Sequence, residues 1–512
     1  MCPEAQLDIA DLPALSRIRE RIVGIDRRVP VLDGSLRSYV NFDNAASTPV
    51  LRDVLETVNG FMEWYSSVHR GTGFKSRVAT QAYDDAREIV AEFVGADLNE
   101  HVVIFGKNTS EAINKLSYRF PFSPDDVVLV SLLEHHSNDL PWRARARVQH
   151  IGADAFGRLD EDDFDRLLAK HAGRVRLVAI TGGANVTGCM PDIRALARKA
   201  HAAGAQILVD CAQLAPHRRV EMGALDDPSH LDYVVLSAHK MYAPFGTGAL
   251  IGRRDTFDQG EPEYRGGGTI EFVGIDSVAW AATPDRDEAG SPNVVGAVAL
   301  AAAAKALESI GMDAIARHEA DLTAHALRRM RAIDGLRIYG DPDPQRAADR
   351  LGVIPFNVGD LSHFLVAAIL GTEYGIGVRN GCFCAHPYLA HLLGMTKADA
   401  RQVGERIAGR DLGGMPGMVR ISFGMYNTID EVDVFVDALS DIARGAHRGN
   451  YVQDRTSGEY RAQGWSPDLA AYFELRGFVP ATSREKARDA RLLSARVGAR
   501  RTLRLRRASL AV

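Results

Sequence analysis

Lys240 follows a short apolar run, Tyr233 to Leu236, inside the stretch HLDYVVLSAHKMYAPFGTG. An amine just past the carboxyl end of a buried strand can form a Schiff base with an aldehyde. Thirty residues earlier, Gln206-Ile207-Leu208-Val209 ends on Asp210. An Asp at one strand end and a Lys at a nearby one suit pyridoxal phosphate (PLP). The carboxylate pairs with the pyridinium nitrogen, and the amine holds the aldehyde carbon. Taken singly, each residue reads more plainly as a strand-end cap or a surface lysine, and the surrounding pattern decides between the two readings.

Strand-like and helix-like segments alternate from about Arg52 to Ala314. The strands are VVLVSLL (127–133), RLVAITG (176–182), QILVD (206–210), DYVVLS (232–237) and GALIG (248–252). Between two of them, PDIRALARKAHAAGA places Ile193, Leu196, Ala197 and Ala200 at helical spacing, with Asp192 at its start and Gly204 at its end. Such alternation predicts an α/β fold: a mostly parallel sheet with helices on both faces. Ligands then sit beyond the carboxyl ends of the strands, where His135, Asp210 and Lys240 fall. Residues 315–448 read as a smaller α+β domain, opened by the amphipathic helix IARHEADLTAHALRRMRAI. The N-terminal segment, 1–50, is expected to pack beside it, and 51–314 forms the large domain. After about Gly449 the composition changes, and the extension 449–512 ends in the Arg-rich RRTLRLRRASLAV.

The composition narrows the function. The 512 residues are 46% hydrophobic, enough for a large core and more than one domain. A formal net charge of −5 points to no nucleic-acid or membrane partner for the whole chain. Five cysteines without a CxxC pair are not a disulfide framework, and no metal set is predicted. The N-terminus is acidic without an apolar run, so no secretory signal is expected. No apolar run of membrane-spanning length is seen. A soluble, cytoplasmic enzyme is the expectation.

Eleven segments, in order, carry a wider resemblance: NFDNAASTP, VHRGTGFKSR, KNTSEAIN, EHHSNDLPW, ANVTGCMPD, DCAQLAPH, SAHKMYAPFGTG, RGGGT, EAGSPN, RNGCFCAHP and RISFGMYNT. Over about Val40 to Val436 the chain resembles the class V, fold-type I PLP enzymes, specifically the Suf-type cysteine desulfurases.

The resemblance implies roles. Lys240 would bind the cofactor and shuttle the Cα proton, Asp210 would hold the pyridine nitrogen, and Gln213 would bond the phenolic oxygen. His135 would stack on the ring, with Asn185 near the phenolic oxygen and substrate. Thr109, Ser110, Ser237 and His239 would cup the phosphate. Gly267 and Ser291 would reach the site of a neighbouring subunit, implying a homodimer. Arg379 and Arg420 would take the substrate carboxylate, beside Ala45; Arg suits that bidentate task better than Lys. Cys384, in Arg379-Asn380-Gly381-Cys382-Phe383-Cys384-Ala385-His386-Pro387, would be the nucleophile that receives sulfur. L-cysteine would become alanine, and the sulfur would pass to an acceptor, with a sulfur-acceptor protein as one candidate.

The chain departs from the family in places. Cys382 and Phe383 stand where two His often precede the catalytic Cys, TGFKSR follows VHRG, Cys211 replaces a Gly, and Ala238 precedes His239. An insertion spans roughly 391–415. Cys382 is read as a packing residue, with sulfur relay or oxidation against Cys384 as its other readings. Rival enzymes are a selenocysteine lyase acting on L-selenocysteine, or another C–S lyase, epimerase or kynureninase-like hydrolase, none of which needs the Cys loop. Outside enzymes, a PLP-binding regulator or sulfur-relay scaffold would keep Lys240 without turnover.

Overall fold

The computed structural model describes residues 17–69 and 71–475. A short strand, β1 (Val40–Asn41), precedes seven that form the large sheet: β2 (His101–Gly106), β3 (Val127–Ser131), β4 (Arg147–Ile151), β5 (Val175–Thr181), β6 (Gln206–Asp210), β7 (Tyr233–Ser237) and β8 (Gly248–Arg253). Their spatial order is β2-β8-β7-β6-β5-β3-β4. β8 alone runs against the other six, antiparallel to both β2 and β7. The α/β expectation holds, with one strand reversed.

The apolar runs are continuous because both faces of the sheet are covered. In β3, Val127 and Leu129 join the core on one face, and Val128 and Val130 join the core on the other. The second face is covered by α1 (Thr109–Arg119) through Ala112, Ile113 and Leu116. On the first face lies α2 (Ile193–Ala202), whose N-cap Asp192 accepts from Ala195 N. The Ala-rich α3 (Val294–Ile310) is buried on the same face, against the helices Arg52–Met62 and Phe74–Phe93.

A second core lies under the helix α4 (Met312–Met330) and a four-stranded antiparallel sheet. Its strands are β9 (Leu336–Ile338), β10 (Val353–Val358), β12 (Arg379–Gly381) and β13 (Met418–Ser422), in the order β9-β10-β13-β12. Between them in sequence, β11 (Ile376–Gly377) pairs in parallel with β1. Leu322 of α4, Phe356 and Ile421 of the sheet, and Val432 and Phe435 of α5 (Ile429–Ala443) meet there.

The insertion contains a helix, Lys397–Ala408, that buries none of its residues and is held at its start by a Thr396/Asp399 capping box. The chain past Gly449 forms a hairpin, Tyr451–Gln453 with Tyr460–Ala462. It is anchored by Tyr451 Oη, which donates to Glu373 at 2.9 Å. Residues 464–475 belong to a separate unit, with a short turn at Leu469–Ala471. The Arg-rich end lies outside the described residues. Among the described residues no single helix is long and apolar enough to cross a membrane.

Candidate active site

A cavity of about 530 Å³ opens at the carboxyl edge of the large sheet. Strands that run parallel end on one edge, so the residues just past β3, β5, β6 and β7 converge there although they are far apart in sequence. Asp210, the last residue of β6, lies opposite Thr181 of β5 and Val235 of β7. Lys240 closes the 3-10 turn after β7. His135 follows β3 and Asn185 follows β5, and all four line the cavity. Gly248 of β8 lets the backbone before α1 approach: a Cβ there would sit 2.6 Å from the Asn108 carbonyl carbon. That approach brings Thr109 and Ser110 to the same edge.

Burial sets the charges. The Lys240 amine is pushed down to about 8, chiefly by desolvation, with Asp210 opposing the shift and Arg420 adding to it. The Asp210 carboxyl is raised by burial, against the Lys240 charge and the amide of Ala212 that donates to it at 2.9 Å. The His135 imidazole is pushed down to about 3 by burial and by the nearby Lys240 charge. Ser137 N donates to His135 Nδ1 at 3.1 Å, which places the ring proton on Nε2. A neutral ring is therefore held over the cavity.

Three buried polar atoms have no hydrogen-bond partner among the described residues and belong to cavity-lining side chains: Thr109 Oγ1, Asn185 Oδ1 and Arg420 Nε. Buried polar groups are nearly always paired, so these mark where a ligand supplies partners. Thr109 is the first residue of α1, whose N-terminus is anion-seeking. Ser110, Ser237 and His239 stand beside it in the cavity wall. An anion-seeking helix start, a carboxylate at a strand end and a depressed amine in one cavity fit PLP, whose phosphate, pyridine nitrogen and aldehyde call for such groups. Gln213 also lines the cavity; its amide donates to Ala45 O at 2.7 Å, and Ala45 N is in turn held by Ser422 Oγ at 2.9 Å.

Both arginines reach the same place. Arg420 is buried, and its Nη1 donates to Asn185 O at 2.8 Å. Arg420 Nη2 and Arg379 Nε each lie 3.2 Å from an oxygen of Asp43. Arg379 is half-exposed. Above them the Cys loop is bent sharply, with Phe383 at φ 53° and Cys384 at φ 54°. Left-handed backbone is costly for such side chains and persists only when its surroundings hold it. Asn185 Nδ2 donates to Phe383 O at 2.7 Å, and His136 N donates to Cys384 O at 2.8 Å. The Arg420 guanidinium packs 4.9 Å from the Phe383 ring centre. Cys384 is exposed at the mouth.

All the residues named from the sequence line this cavity except Gly267 and Ser291, which lie on the segment around the hairpin Ile270–Val273/Val278–Trp280. Sequence reasoning passed over Asp43, although NFDNAAS was in view. It also passed over Glu134, whose carboxylate accepts from Thr181 N and Asn138 Nδ2, each at 2.7 Å, and so fixes the turn that presents His135. His136, whose ring stacks on His386 with centroids 4.9 Å apart beside the Cys loop, was missed as well.

Known proteins resemble this arrangement closely. The aminotransferase class-V family profile matches residues 40–435. A probable cysteine desulfurase of Streptomyces coelicolor is 33% identical over 434 residues, covering 82% of this chain and 96% of the relative. The cysteine desulfurase of Haloferax volcanii is 34% identical, covering 85% and 96%. Among solved structures, the apo cysteine desulfurase of Thermococcus onnurineus superposes with a TM-score of 0.71 at 31% identity, over 84% of this chain and 98% of that one. The cysteine desulfurase CsdA of Escherichia coli gives 0.69 at 27% identity, over 85% and 99%.

Proposed function

Because the chain belongs to the aminotransferase class-V family, among the cysteine desulfurases, we propose that it converts L-cysteine to alanine with PLP and receives the sulfur on Cys384. The family is PLP-dependent and its fold is fold-type I. The observation that carries the assignment of Cys384 is its place in one cavity with Lys240 and Asp210.

When bound, PLP supplies an electron sink for the bond between Cα and its proton. Lys240 would hold the aldehyde carbon and would serve as the base and acid for the Cα proton; an amine near pH 8 suits both directions of that transfer. Asp210 would keep a proton on the pyridine nitrogen. His135, neutral, would face the ring without adding a competing positive charge. Thr109, Ser110, Ser237 and His239 would hold the phosphate, and Asn185 and Gln213 would border the ring oxygen. Arg420 and Arg379 receive the substrate carboxylate, which takes the place of Asp43 between them. Cys384 Sγ then attacks the substrate sulfur. The new S–S bond forms as Cβ–S breaks, and the carbon keeps the electron pair and takes up a proton.

Gly267 and Ser291 are assigned to the site of a second copy of the chain. The apolar, exposed hairpin next to them, with Phe272, Val273 and Ile275, supports a homodimer. In this reading the sulfur held on Cys384 is then passed on or released.

The test is alanine and sulfide formation from L-cysteine plus a reductant, in wild type and Cys384→Ala. Stoichiometric products from the wild type and none from the variant support the reading. Equal activity in both moves the assignment to a selenocysteine lyase or another C–S lyase.

A further inference from the structure

Cys382 and Cys384 are the first and third residues of one tight turn. Ala385 N donates to Cys382 O at 3.0 Å and closes it. Phe383 and Cys384, both at positive φ, are its central residues, the backbone of a type I′ turn. The ends of such a turn lie within about 7 Å of each other. Two residues inside it fall within the Cα separation that a disulfide bridges, about 4.4–6.8 Å. Both cysteines line the cavity that contains Lys240. Cys382 is partly buried and Cys384 is exposed. The other two described cysteines differ: burial pushes the Cys189 thiol up to about 11 and raises that of Cys211 well above its ordinary value. Neither lines this cavity.

We propose that Cys382 resolves the persulfide on Cys384 and releases its sulfur as sulfide. The inference rests on the Cys384 chemistry proposed above. Cys382 thiolate attacks Cys384 Sγ. The Sγ–Sγ bond forms, and the bond from Cys384 Sγ to the outer sulfur breaks, its electron pair leaving on hydrosulfide. The two cysteines lose two electrons between them and the outer sulfur gains them, so no external oxidant enters. The proton given up by Cys382 goes to solvent or to hydrosulfide. A dithiol reductant then reopens the disulfide for the next turnover. The turn favours this path over transfer to a distant thiol, because the attacking sulfur is already held two residues away.

The experiment uses reduced holoenzyme, freed of reductant and mixed with one equivalent of L-cysteine. Acid quench and alkylation follow, and alanine, sulfide and the mass of the tryptic peptide Asn380–Lys397 are measured. The expected wild-type result is one sulfide per alanine, with that peptide two hydrogens lighter and carrying no persulfide. Cys382→Ser should hold nearly one persulfide on Cys384 per alanine formed and release almost no sulfide. A wild-type persulfide without the disulfide overturns the proposal, and so does an equal persulfide-to-alanine ratio in both proteins. The disulfide is read on the wild type, so the test stands even where the variant folds poorly. Undiminished alanine and sulfide from Cys384→Ala would remove the persulfide itself, a failure distinct from that of Cys382 alone.

Discussion

Arg379 and Arg420 stand directly opposite each other across the antiparallel pair of β12 and β13, and both reach the carboxylate of Asp43. Like charges placed opposite on neighbouring strands repel, and a shared carboxylate offsets that cost. The protein thus contains a two-arginine carboxylate seat, filled by its own side chain.

The two arginines should not contribute equally. Arg420 is buried and also anchored to Asn185 O, whereas Arg379 is half-exposed, where solvent weakens its hold. Arg420→Lys is expected to lower kcat/KM for L-cysteine by roughly 10- to 100-fold, the value of about 1.5–3 kcal/mol for a charge-assisted contact. Arg379→Lys should cost only a few-fold. Steady-state kinetics decide, and a larger loss at Arg379 would reverse the assignment.

Thr109 Oγ1 is buried without a partner among the described residues at the start of α1. In the proposed function a phosphate oxygen of the cofactor would accept its hydrogen bond. Thr109→Val keeps the shape and removes the donor. The dissociation constant for PLP, read by absorbance titration of cofactor-free protein, is expected to rise roughly 10- to 100-fold, again about 1.5–3 kcal/mol. An unchanged constant would take Thr109 out of the phosphate seat.

Burial holds the Lys240 amine at about 8, below its ordinary 10.5. Between those values the unfolded chain binds the proton more readily than the folded one. This group therefore adds stability as pH rises from about 8 to 10.5, and that contribution is absent below 8. In the cofactor-free protein the nucleophilic free amine grows in through the same lower value. The rate of PLP uptake should climb with pH and level off just above 8. A rate still rising tenfold per pH unit at 10 would place the amine at its ordinary value.

Much of this was legible in the sequence. Asp210 and Lys240 were visible because buried parallel strands are unbroken apolar runs, and the residue that ends such a run lands on the ligand edge. The direction of β8 was not visible: GALIG has the same apolar composition in either orientation, and only its pairing with β2 and β7 decides. Asp43 was hidden because its role depends on Arg379 and Arg420, more than 300 residues away. The His136–His386 stack likewise exists only once the Cys loop folds back over the turn after β3. Local pattern reports burial and chain reversal, but not which distant charges meet.

Asp43 gives the sharpest test of the carboxylate seat. If its side chain occupies the place a substrate carboxylate takes, each binding event must displace it. Asp43→Asn removes that competing charge and keeps the shape. KM for L-cysteine is expected to fall several-fold. The same change leaves two facing arginines, one of them buried, without their shared counter-charge. Breaking a buried pair from one side costs about 3–5 kcal/mol, so Tm of the cofactor-free variant should drop by several degrees. A carboxylate ligand such as L-alanine should then restore Tm more in the variant than in the wild type, because it supplies the missing charge. A KM that rises instead, with no extra rescue by L-alanine, would make Asp43 a positioning residue that aims the arginines rather than a stand-in for the substrate.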